Sequence, residues 1–106
     1  MKAFLVHAAA AALVSVSGNA CAQTKPAELH IKQLAASCAS CHGTNGAVVS
    51  GSPVVGLAGY DERAMIAAMA AFKAGTRPAT IMHQLSKGYT DEQVAQLAAH
   101  FANLKK

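Results

Sequence analysis

Cys38-Ala39-Ser40-Cys41-His42 places two thiols three positions apart and an imidazole directly after the second. Residues three apart share one face of a helix. Both sulfurs can therefore bond to one edge of a flat ring system while the adjoining imidazole turns beneath it. This is the attachment spacing of c-type haem, with thioethers from Cys38 and Cys41 and the proximal iron bond from His42.

Other uses of the two thiols fit less well. A disulfide redox motif of this spacing belongs in a strand-helix-strand setting, and no alternating strand pattern lies nearby. A closed zinc site wants four ligands at short paired spacings. The remaining histidines of the region after residue 22 are scattered singly at His30, His83 and His100.

The third cysteine, Cys21, falls in a different kind of segment. The chain is 106 residues long, 53% hydrophobic and 13% charged, with a mean hydropathy of +0.27. Much of that apolar character lies at the start. Lys2 precedes an apolar run that gives way to small and polar residues at 15–22, ending in Ala20-Cys21-Ala22. Residues 3–16 are 14 positions, short of the roughly 18 that a membrane-spanning helix needs. This is the plan of a secretory signal peptide over residues 1–22, cleaved before Gln23. Export to the periplasm follows, with no membrane span after cleavage and Cys38 and Cys41 as the only thiols left.

Residues 23–106 then form one domain of 84 residues, of which 40, or 48%, are hydrophobic. Eight Lys and Arg against five Asp and Glu give it a net charge of +3. The pI of about 9.2 reflects scarce acids rather than a basic tract, so nucleic acid is not an expected partner. A domain this short usually needs a staple, and a covalent haem is one.

Helical periodicity runs through the domain. Pro26 opens a first helix whose stripe is Ile31, Leu34, Ala35 and Cys38. Residues 43–59 are rich in Gly and form a long loop, fit to wrap a haem edge. Asp61 caps a second helix to about Ala74, striped by Met65, Met69 and Phe72. A short apolar segment, Ala79 to Leu85, precedes the Lys87-Gly88 break. A capping box of Thr90 and Gln93 starts the last helix, with Val94, Leu97, Ala98, Phe101 and Leu104 on its stripe. The fold class is all-α: about four helices and a long loop around one covalent haem.

The distal side of the iron has several candidates: Met65, Met69, Met82, His30, His83 and His100. Met65 and Met69 share a core stripe with Phe72. Met82 lies forty residues after His42, between the Pro78 and Gly88 breakers. Its main rival, His83, points about 100° away from it if the two are helical neighbours.

Four stretches carry a resemblance: 38–46, Leu57-Ala58-Gly59, the run from Lys73 to Met82 containing Arg77-Pro78-Ala79-Thr80-Ile81, and Lys87 to Gln93. Together they resemble class I c-type cytochromes, most closely the monohaem cytochrome subunit of flavocytochrome c sulfide dehydrogenase and more distantly the cytochrome c4 and c5 group. The resemblance implies Met82 as the distal ligand. It also implies a backbone carbonyl holding the second ring nitrogen of His42. Relatives often have a proline at the position of Val55, so Val55 and Pro53 both stand as sources of that carbonyl.

With His42 and Met82 both on iron, no open position remains for a substrate. The expectation is an electron carrier rather than an enzyme, passing single electrons between redox proteins. Lys73, Arg77 and Lys87 flank the Met82 segment as candidates for a docking patch. An alternative is the electron-accepting haem subunit of a flavoprotein sulfide dehydrogenase. A ligand-binding or peroxidatic haem protein is the third reading, and it requires that Met82 leave the iron.

Overall fold

Thr90 and Gln93 exchange two hydrogen bonds, Gln93 N–H to Thr90 Oγ1 at 3.1 Å and Thr90 N–H to Gln93 Oε1 at 2.9 Å. That capping box starts the last helix where the sequence places it. In the computed structural model, which describes residues 25–106, it is the fifth of five α-helical segments. These are α1 (Pro26–Ala36), α2 (Ala39–His42), α3 (Glu62–Ala74), α4 (Met82–Leu85) and α5 (Asp91–Ala102). Single 3-10 turns follow α2 and α4, at Thr44–Gly46 and Ser86–Gly88. Among the described residues there is no strand, and no helix is long and apolar enough to cross a membrane.

Two helices depart from the sequence expectation. The first does not run unbroken through Cys38. Ser37 donates its hydroxyl to the Leu34 carbonyl at 2.7 Å, and the Ser37 and Cys38 amides bond back three residues, which tightens and ends α1. Cys38 nonetheless stays on the apolar side, packed against the core. The last helix stops at Ala102 rather than continuing to Leu104. Asn103 donates its side-chain amide to Ala99 O at 2.8 Å, and Leu104 reaches the core from beyond the helix.

The long helices meet in one cluster: Ala35 of α1, Met65 of α3, and Leu97, Ala98 and Phe101 of α5. Helix α5 packs on both α1 and α3, while α4 packs on α3. Asp61 caps α3 by accepting from Ala64 N–H at 2.8 Å, and Gly75, at φ +75°, ends it in the left-handed conformation.

The loop from 47 to 59 closes on itself. Leu57 and Ala58 both donate their amides to Gly46 O, and Gly59 donates to Phe101 O. Gly46, at φ +73°, lies so close to this closure that a Cβ would stand 2.8 Å from Leu57 Cβ and 2.9 Å from Ala58 N. The loop is thereby fixed between the Cys-His segment and the end of α5.

Candidate functional site

Helix α2 is a single turn that carries Cys41 and His42, with Cys38 at its start in helical geometry. Cys38 is half-buried, and burial pushes its thiol pKa up, partly offset by the neighbouring Ser37 hydroxyl. Cys41 is exposed. The short helix ends at Gly43, whose φ of +81° suits glycine and whose Cβ, were there one, would lie 2.1 Å from Ala47 O. A side chain at that position would displace the backbone at Ala47.

His42 is held by the loop. Its Nδ1 lies 2.7 Å from the carbonyl oxygen of Val55. A carbonyl only accepts, so Nδ1 carries the proton and donates, and Nε2 is left with its lone pair for a metal. The carbonyl is thus that of Val55, not Pro53. Because a main-chain oxygen makes the bond, the role does not require proline at position 55.

The distal candidates separate by packing. Met65 is buried in the core cluster and Met69 packs partly against it, so both serve as hydrophobic filling. His30 is exposed on α1. His100 sets its ring edge against Phe101, with centroids 5.3 Å apart. Met82 is the first residue of α4 and half-buried. Its neighbour His83 is half-buried too, with an Nδ1 that is shielded from solvent and has no hydrogen-bond partner. An unpaired Nδ1 costs less as a bare acceptor than as an N–H donor, which favours the tautomer with its proton on Nε2.

Two of the three cations considered for docking have intramolecular work. Lys73 donates to Tyr89 O at 2.8 Å and to Asp91 Oδ1 at 2.9 Å. Arg77 lies over the Phe72 ring, 4.8 Å from its centroid. Lys87 is exposed. The Lys73 contacts, and a hydrogen bond between Ser37 Oγ and Tyr89 Oη at 2.8 Å, had no signal in the sequence, since Ser37 and Tyr89 are 52 positions apart.

The donor set fits a covalent haem. Two thiols sit at the start and middle of one helical turn, beside an imidazole whose free nitrogen is defined by the bond its other nitrogen makes. Residues 30–105 match the model of the cytochrome c family. The chain belongs to the cytochrome c family. The all-α architecture agrees, and this cytochrome c is an electron-transfer haem protein of a family that binds haem c covalently. It is 38% identical over 107 aligned positions, covering 92% of this chain and 96% of the relative, to a protein of Chlorobaculum tepidum described as the cytochrome subunit of sulfide dehydrogenase.

Proposed function

We propose that this cytochrome is exported to the periplasm after loss of residues 1–22, and that residues 23–106 carry one haem and pass single electrons between redox proteins. Cys38 and Cys41 are the thioether anchors, His42 the proximal iron ligand and Met82 the distal one. The observation that carries this reading is the Val55 carbonyl on His42 Nδ1, which orients the ring and presents Nε2 to iron.

Bound haem c supplies a reversible one-electron change at iron. The chain's own residues do the rest. Cys38 and Cys41 fix the porphyrin edge, His42 donates a nitrogen and Met82 a thioether, which raises the reduction potential relative to a second imidazole. With His42 and Met82 both holding the iron, it would have no position left for a substrate. Electron exchange then depends on a brief contact at the surface, of the small interfaces that redox partners use.

Substituting Met82 with Ala tests the ligand set. The oxidised protein is expected to lose its weak sulfur-to-iron charge-transfer band, and the ferrous protein to gain carbon monoxide binding. An unchanged oxidised spectrum would rule Met82 out.

The likeness to a sulfide dehydrogenase cytochrome subunit favours a second reading, in which the same haem domain is the electron-accepting subunit of a flavoprotein that oxidises sulfide. Native purification separates the two. Flavin that co-purifies in fixed ratio with the haem supports the subunit, and recovery solely as a free small haem protein supports the carrier.

A further inference from the structure

Helices α1 and α2 carry the Cys-His segment, and α3 and α4 carry Met82. Among the described residues, these two halves share no extensive packing; each is held mainly through α5, α1 and α3 packing on it directly. Their common attachment is the cluster around Leu97, Ala98 and Phe101.

A second attachment exists, and Tyr89 makes it. Ser37 Oγ donates to Leu34 O at 2.7 Å, so in its 2.8 Å contact with Tyr89 Oη the phenol is the donor. That bond ends on the residue next to Cys38. At the other end of the same residue, the Tyr89 carbonyl accepts from Lys73 Nζ of α3 at 2.8 Å, and its amide bonds to Ser86 O at 3.3 Å. Ser86 is wholly buried in the turn that directly follows Met82–Leu85, and its hydroxyl meets His83 O at 3.5 Å. A connected path therefore runs from the cysteine segment, through Tyr89, to the α4 turn and to α3.

We infer that Tyr89, fixed by Lys73 and bonded to Ser37, is a positioning residue that sets the reach of the Met82 sulfur to an iron anchored beside Cys38. The inference rests on the axial pair proposed above. Tyr89 is not one of the ligands of that pair. It acts by limiting how far the α4 turn swings from the α1–α2 segment, and so how often the thioether is off the iron.

The test uses the holoprotein in four single variants and the Tyr89→Phe/Ser37→Ala double variant, beside Met82→Ala. Tyr89→Phe removes only the hydroxyl, Ser37→Ala removes its acceptor, and Lys73→Met keeps the aliphatic stem without the ammonium. Thr90→Ala, which removes a cap bond of α5 but none of the hydrogen bonds of the path, controls for general loss of stability. The rate of carbon monoxide binding to the ferrous form and the intensity of the sulfur-to-iron band report sulfur dissociation.

Tyr89→Phe and Ser37→Ala are each expected to speed carbon monoxide binding about fivefold, the population change that one net hydrogen bond is worth, with a weaker band. The double variant should do no more than Ser37→Ala alone, which already breaks this bond together with the one to Leu34 O. Lys73→Met is expected to act in the same direction. Rates and bands that move no more than in Thr90→Ala would overturn the role of Tyr89. That result is distinct from failure of the axial assignment, which Met82→Ala reads separately: its band persists if Met82 is not the ligand, whatever Tyr89 does.

Discussion

His42 and Val55 show how a side chain acquires its chemistry from a backbone it does not adjoin. A carbonyl at 2.7 Å from Nδ1 fixes the proton there and leaves Nε2 bare. The oxygen depends on the path of the loop between them, and that path depends on Gly46. Replacing Gly46 with Ala forces a Cβ within 3 Å of Leu57 and Ala58 in a left-handed conformation. We expect a loss of about 2 kcal/mol or more in denaturant unfolding. Gly51 is the matched control. It has a similar φ of +82° but open space around it, so Gly51→Ala should cost only about 1 kcal/mol. Equal losses at the two sites would remove close packing as the reason for glycine at 46. At this scale the sequence was legible where the chemistry is local, as in Cys38, Cys41 and His42. It left Pro53 and Val55 open because either carbonyl can reach the ring, and only the folded loop chooses between them.

Elements with strong end signals were the readable ones. Asp61 and Gly75 bound α3, and Thr90 with Gln93 starts α5, because each cap satisfies backbone groups that a bare helix end leaves unpaired. Removing one such cap has a predictable cost: Thr90→Ala should lose about 1 kcal/mol of stability, measured by thermal unfolding, with the visible spectrum unchanged. The break between α1 and α2 was not legible. The apolar stripe continues through it from Leu34 and Ala35 to Cys38, so periodicity alone reads one helix; the Ser37 hydroxyl turning back to Leu34 is what ends it. The single-turn α4 was read only as a short apolar segment, since four residues are too few for a periodic pattern.

On the scale of the whole molecule, α5 is the organiser. Phe101 is 2% exposed, belongs to the cluster that joins the long helices, and through its carbonyl holds Gly59 at the end of the loop. Phe101→Ala should therefore cost about 3–5 kcal/mol and loosen both halves of the site together. Unfolding that leaves the haem spectrum native until the global transition would contradict that coupling. Such a small cluster in a domain of about 80 residues makes a covalent cofactor a structural member as well as the redox centre. The intact mass and visible spectrum of the protein purified from its host, taken together, test the haem assignment most directly. The expected result is the mass of residues 23–106 plus one haem, retained after denaturation, with the spectrum of a low-spin c-type haem bound by nitrogen and sulfur. A mass equal to the bare polypeptide, or a pigment that separates from the denatured chain, would contradict it.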